Sequence, residues 1–345
     1  MLSRTFVRPS APLASRWVEY LTLHHRTFCS KNSPHPTSVI SENAVLSPDV
    51  VVGPFCVISG GTTIGEGVVL QAGVHIFGHS SIGAKCVIRS HAVIGAEVSR
   101  HSGIFCTRSR RNRKSNWTDK TSHSQADGLE TTIGPGCDIG AGTVIGGGTC
   151  IESGTRTGNN VTLTNCDVGE RCYFHNGVAI GQDGFGFTHG LDGEVIKHKQ
   201  EYRVRIGDNV EIGANTCVDR GSWRDTTIGS DSKLDGLVKV GHNAVIGRAV
   251  LLCGGAALGG SSSLGNRVIL GGKAAVGDHT KVCDDVRIAA RSGVMNDIAS
   301  PGDFAGWPAV PATQWKRQRL HLKRLGCIRK LPGKAATTRE PLADD

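Results

Sequence analysis

Aliphatic side chains recur every six residues along most of the chain. Ile40, Leu46, Val52, Ile58, Ile64, Leu70, Ile76, Ile82, Ile88 and Ile94 keep that phase without a break. A second block runs through Ile133, Ile139, Ile145, Ile151 and Leu163, with Thr157 as its exception; after a one-residue slip it resumes at Val168, Phe174 and Ile180. A third block holds Ile206, Ile212 and Val218, and a fourth continues in phase from Ile228 to Val294. This period matches neither the 3.6 of an amphipathic helix nor the alternation of hairpin strands, which would lose phase at each turn. It predicts a parallel β-helix, in which each hexad supplies one short strand and one turn and points its aliphatic residue inward. Three hexads close a triangular coil, and coils stack at the interstrand spacing of about 4.8 Å. The expected fold is therefore all-β, a left-handed parallel β-helix of hexapeptide repeats.

The breaks in phase set the predicted organisation. Residues 31–98 form the N-terminal coils and 131–312 the main β-helix, with insertions leaving as surface loops. The insertion 99–130 holds Arg108, Arg110, Arg111, Arg113, Lys114 and Lys120 with almost no apolar residues, which predicts a disordered basic excursion. The loop 182–205 opens Gln182-Asp183-Gly184-Phe185-Gly186-Phe187. Its two phenylalanines are costly to leave in water and point to a loop that covers a cleft or a neighbouring subunit. After Pro308 and Pro311, Thr313 is placed to cap a short C-terminal α-helix over 313–330, with Trp315, Leu322 and Leu325 on one side. Residues 331–345 are expected to form a disordered tail.

Composition narrows the class. The 345 residues include 47 glycines and only 5% aromatics, a turn-dense balance that disfavours a helical bundle. The longest uncharged apolar stretch, 249–260, is too short and Gly-rich for a transmembrane helix. Residues 1–30 carry Arg4, Arg8, Arg16 and Arg26 against Glu19 alone and are rich in Ser and Thr, the signature of an organelle transit peptide. Import into the mitochondrial matrix is expected, with plastid as second choice. Because that segment supplies part of the net charge of +9, the charge does not imply a nucleic-acid partner. The 12 cysteines include no C-x-x-C pair, so they read as free thiols in a reducing compartment. Cys56, Cys86, Cys137 and Cys172 share the fifth place of the repeat, where a small inward side chain is wanted. No metal site and no bound cofactor are expected.

Residues one coil apart share a corner. His242 and Gly260 are so related, and His279 lies two coils and one residue beyond His242. A neutral imidazole beside glycine N–H groups suits acyl transfer from a thioester. The ring takes a proton from an attacking amine or hydroxyl, and an N–H such as that of Gly260 stabilises the oxyanion. Asp235, one hexad before the first histidine, is a candidate to orient it.

The stretches Ile180-Gly-Gln-Asp-Gly-Phe-Gly-Phe187, Asp219-Arg-Gly221, Asp225-Thr-Thr-Ile-Gly229, Gly241-His-Asn-Ala-Val-Ile-Gly247 and Gly302-Asp-Phe-Ala-Gly-Trp-Pro308 strongly resemble the UDP-3-O-(3-hydroxyacyl)glucosamine N-acyltransferases of lipid A biosynthesis, especially their plant mitochondrial branch. The resemblance implies transfer of a 3-hydroxyacyl group from acyl carrier protein, as co-substrate, to the 2-amino group of UDP-3-O-acylglucosamine, in a homotrimer with sites between neighbouring β-helices. It implies His242 as general base, Gly260 as oxyanion N–H donor, His279 as second active-site histidine and Asp235 as the carboxylate near the base. Gln182, Asp183, Phe185 and Phe187 are expected to bind substrate. Gly236 stands where the family usually has an Asn. Bacterial members also carry a separate uridine-binding domain, so uracil is expected on the β-helix or the 182–205 loop, or its recognition is relaxed.

Lys316, Arg317, Arg319, Lys323 and Arg324 form the expected dock for acidic acyl carrier protein, steered by opposite charge. Two other readings of the fold stand beside the enzyme: a non-catalytic β-helix scaffold subunit, and a hexapeptide acyl- or acetyltransferase that uses coenzyme A.

Overall fold

The computed structural model describes residues 34–96 and 130–328. Short strands of mostly two residues alternate with turns and assemble into three sheets of 12, 11 and 13 strands, parallel except for the last pair of the third, here called A, B and C in the order the chain visits them. The chain passes through A, B and C in each coil, so within the coils sequential strands do not pair and each strand bonds to its equivalent one coil away. Val39–Ile40 pairs with Val57–Ile58, and Lys239–Val240 with Ala257–Leu258, both parallel and in register. This is the expected parallel β-helix.

The cause is the hexad itself. In nearly every two-residue strand of the coils the second residue points inward and is buried, and the first is more exposed. Ile58, Ile76, Ile94, Ile145, Leu163 and Ile180 form one inward column on sheet A, each at most 1% exposed. Cys56, Cys86, Cys137 and Cys172 are buried between such residues as expected. Thr157, the exception to the repeat, is inward and buried too; its Oγ1 accepts the Gly140 N–H at 2.8 Å and lies 3.4 Å from Thr143 Oγ1. A polar side chain is tolerated in the inward column of sheet C because its hydrogen bonds are made there.

The solenoid ends in Gly302–Ala305 and Val310–Pro311, followed by helix α1 over Ala312–Ile328. The helix begins one residue before the expected cap, so Thr313 lies inside its first turn. Trp315 packs its ring against Gly306, where a Cβ would sit 2.6 Å from the indole. The expected docking cations Lys316, Arg317, Arg319, Lys323 and Arg324 are all exposed, as are Leu320, Leu322 and Leu325. The import segment 1–30, residues 99–129 of the basic insertion and the tail 331–345 lie outside the described residues. No helix among the described residues is long and apolar enough to cross a membrane.

Candidate active site

One edge of the prism collects the departures from the repeat. The chain leaves sheet A at Ala96 and reaches sheet B at Thr131, leaves again at Gln182 and returns at Val204, and leaves a third time at Asp219 and returns at Thr226. The one-residue slip between Leu163 and Val168 falls on the same A-to-B edge. His242, Gly260 and Asp278 occupy this edge in three successive coils. Backbone hydrogen bonds fix the stack: Ser261 N–H donates to His242 O at 2.8 Å, and His279 N–H to Gly260 O at 2.9 Å. His279 is exposed and sits above Ser261 and Asn243, all three in the left-handed conformation with φ of 58–59°. The two histidines thus share an edge, two coils apart.

The half-buried His242 imidazole lies between two glycines. A Cβ on Gly260 would sit 2.7 Å from the ring's Cε1 and Nε2, and one on Gly184 would sit 2.7 Å from His242 Cβ and 2.9 Å from Cδ2. Gly184 belongs to the 182–205 loop, which folds into an antiparallel hairpin of Phe187–His189 with Val195–Lys197. Asp183 ties the base of that hairpin to Lys197 at 2.6 Å. The expected cover is real at the backbone, which touches His242 two coils away. The aromatic side chains do not supply it: Phe185 is 82% and Phe187 45% exposed, with their rings edge to face at 5.0 Å. Of the remaining candidate, Gln182, the backbone carbonyl accepts from Arg220 N–H at 2.8 Å.

Two expected placements change, those of Asp235 and the Gly260 N–H. Asp235 is on the C-to-A edge, a different corner from His242, because a hexad is one third of a coil and carries the chain to the next corner; its Oδ1 accepts the Gly236 N–H at 2.7 Å. Within this chain it does not orient the imidazole. The Gly260 N–H, expected to face an oxyanion, donates to Asp278 Oδ1 at 2.8 Å. His242, expected as general base, has its Nδ1 held 2.8 Å from Asn243 Nδ2.

Asn243, Asp278, Gly184 and the 220–225 turn carry no role that the sequence pattern assigns, although two coil lengths from His242 fall on residue 278. On that turn Trp223 is 55% exposed and carries the Arg224 guanidinium 4.5 Å from its ring centroid. Arg224 in turn donates to Asn243 O at 2.9 Å and Ser261 O at 3.2 Å. Partial burial depresses the Arg224 pKa. Asp219, 3% exposed, is ion-paired with Lys239 at the foot of the same turn. Burial raises the neighbouring Cys217 thiol above its ordinary value. The arrangement offers one imidazole between bare backbone segments, flanked by exposed aromatic rings.

Residues 43–78 match the family described as bacterial transferase hexapeptide (six repeats). Over 159 residues the chain is 50% identical to the probable UDP-3-O-acylglucosamine N-acyltransferase 2, mitochondrial, of Arabidopsis thaliana, covering 46% of this chain and 52% of that one. It is 43% identical over 168 residues to the UDP-3-O-acylglucosamine N-acyltransferase of Methylorubrum populi, covering 49% of this chain and 48% of the relative. The chain thus spans about half the length of the curated relatives it matches. A solved Arabidopsis UDP-N-acetylglucosamine acyltransferase aligns over 90% of this chain and 86% of its own at 20% identity and a TM-score of 0.42, a likeness too low to add to the solenoid already described. The chain is similar to the bacterial transferase hexapeptide family over residues 43–78 and, over nearly half its length, to proteins named UDP-3-O-acylglucosamine N-acyltransferases.

Proposed function

We propose that the protein is an N-acyltransferase that moves a 3-hydroxyacyl group from acyl carrier protein to the 2-amino group of UDP-3-O-acylglucosamine. In that reaction the amine nitrogen attacks the thioester carbonyl carbon, the C–N bond forms, the C–S bond breaks, and one amine hydrogen ends on the departing sulfur. The observation that carries the reading is His242, set between Gly184 and Gly260 on the edge where the insertions gather. The two glycines let the backbone come up against the ring and fix where it lies, which holds the imidazole in place for an acyl thioester and an amine that meet at this edge. The names of the curated relatives support the substrate class.

A homotrimer is supported by the faces of the prism. Outward positions of sheet A run Val144, Thr162, Ala179, Ala257, Ala275 and Gly293, and the sole charge among them, Lys239, is neutralised by Asp219. Sheet C instead presents Asp138, Arg156, Glu211, Lys233, Arg287 and Asp303. Association through the uncharged face follows the depletion of charge in interface cores. The exposed basic residues of α1 support docking of an acidic carrier protein, and the name of the Arabidopsis relative supports a mitochondrial location.

The test is reconstitution with UDP-3-O-acylglucosamine and 3-hydroxyacyl carrier protein, with acyl-coenzyme A as the alternative donor. The diacyl product should form only with the carrier protein and vanish in His242→Ala. Full activity of His242→Ala, or product with coenzyme A alone, would reject the reading.

A further inference from the structure

We propose that the groove across sheet C at Arg156 is a binding site for a diphosphate group, either free or borne by a nucleotide. Only the nucleotide as a source rests on the acyl-transfer reading. The groove has a volume of about 730 Å³ and runs over the rungs that carry Asp138, Arg156 and Tyr173. The other outward charges of this sheet are matched by neighbours: Asp138 by Arg89, Glu211 by His175 and Lys233, and Arg287 by Asp303. Arg156 is exposed and, among the described residues, its guanidinium has neither an ion-pair nor a hydrogen-bond partner. The carboxylate on the preceding rung, Asp138, accepts from Arg89 Nε at 2.8 Å and Nη2 at 2.7 Å, so both of its oxygens are engaged.

Hydrogen-bond donors collect around the Arg156 cation. Asn159 Oδ1 accepts the Ala141 N–H at 3.0 Å, and Asn176 Oδ1 accepts the Asn159 N–H at 2.8 Å. Because those donors are main-chain groups, the oxygen end of each amide is fixed and its NH2 is left for a ligand. Arg171 lines the groove too, tied by Nη1 to Glu170 and by Nε to Asn209, which lie outside the lining. Adjacent rungs about 4.8 Å apart thus each bring a guanidinium and an amide NH2, Arg156 with Asn159 and Arg171 with Asn176. Among the described residues Asp138 is the one carboxylate of the lining, and Arg89 already holds it. Three guanidinia against one carboxylate favour an anion, and the forked N–H groups of arginine match phosphate oxygens. Two donor sets on successive rungs suit two linked phosphoryl groups. Tyr173, 39% exposed with its ring tilted against His175 at 4.3 Å, sets an aromatic ring beside them on which a nucleotide base can stack.

Isothermal titration calorimetry of the full-length protein with inorganic pyrophosphate and, separately, with UDP tests the site. Pyrophosphate should bind, more weakly as salt rises, and Arg156→Gln should weaken it at least tenfold. Asn159→Asp keeps the acceptor for the Ala141 N–H and sets a carboxylate oxygen in place of the NH2, so it should weaken binding as well. Both side chains are exposed, and a urea midpoint close to wild type checks that the variants fold. UDP binding tighter than pyrophosphate, and weakened by Tyr173→Ala, assigns a nucleotide as the source; equal binding of the two, untouched by Tyr173→Ala, assigns free diphosphate. No binding of either probe, or binding that Arg156→Gln leaves unchanged, overturns the proposal. Absence of acyl transfer by a wild-type protein that binds pyrophosphate through Arg156 would instead reject the acyl-transfer reading and leave the site standing.

Discussion

Two glycines decide where the imidazole of His242 can lie. A methyl group on Gly260 would overlap the ring edge, and the ring is hemmed on its other side by Gly184. Gly260→Ala should therefore displace the imidazole and lower kcat/KM at least tenfold, since misplacement by about 1 Å can cost a hundredfold. Far-ultraviolet circular dichroism and the thermal midpoint should stay close to wild type, because Gly260 is on a half-buried turn outside the apolar core. Cysteine chemistry follows burial in the same local way. Burial pushes Cys166 up to about 12 and Cys172 up to about 11, whereas Cys253 is exposed. At pH 8 iodoacetamide should label Cys253 within minutes and reach Cys166 and Cys172 only after unfolding, as read by peptide mass spectrometry. At this scale the sequence was only partly legible. The 18-residue coil sets Gly260 on the same corner as His242, one coil on, whereas Asp235 falls on the preceding corner because a hexad advances one corner rather than one coil. The partners Asn243 and Asp278 are set by side-chain directions that periodicity does not carry.

At the scale of single strands and loops, the departures from the hexad have distinct physical reasons. Thr157 replaces an aliphatic residue yet accepts the Gly140 N–H. Thr157→Val keeps the shape and removes the acceptor, so it should cost about 1–3 kcal/mol and lower the urea midpoint, with the coil otherwise preserved. The 182–205 hairpin was legible as an excursion because the repeat stops there and its glycines and phenylalanines do not fit a coil. Its reach to His242 was not, because the distance it travels depends on the antiparallel pairing of Phe187–His189 with Val195–Lys197. Phe187→Ala, together with Phe185→Ala, should leave stability nearly unchanged, since both rings are substantially exposed. It should raise KM for the sugar substrate if those rings line its path, as steady-state kinetics will read.

For the whole molecule, the period of six was sufficient to anticipate three parallel sheets and one continuous core, because each inward side chain stacks on an equivalent one and the pattern has no other simple solution. The face proposed for association was less legible, since which outward positions share a sheet follows only from the folded coils. Ala257→Arg places a guanidinium on the uncharged face and should shift the assembly toward monomer in light scattering, whereas Lys233→Glu on sheet C should not. The B-to-C edge responds to acid instead. The Arg267 guanidinium holds Asp285 below the usual carboxylate range, and hydrogen bonds from Asn266 do the same for Asp284. Their stabilisation is present above the unfolded carboxylate range near pH 4 and is lost as pH falls through the lower folded values. The urea midpoint should therefore decline below pH 4, and less so in Arg267→Ala.

Gathering the irregular segments on one edge leaves the other two corners free of them, which makes the length of the prism adjustable. Excising residues 44–61, one full circuit, would join Asn43 to Thr62 at equivalent places in the spiral. The shortened protein should lose one rung of about 4.8 Å and carry the distant His242 edge unchanged, a modularity open to a lineage that needs a longer or shorter column on the same chemistry.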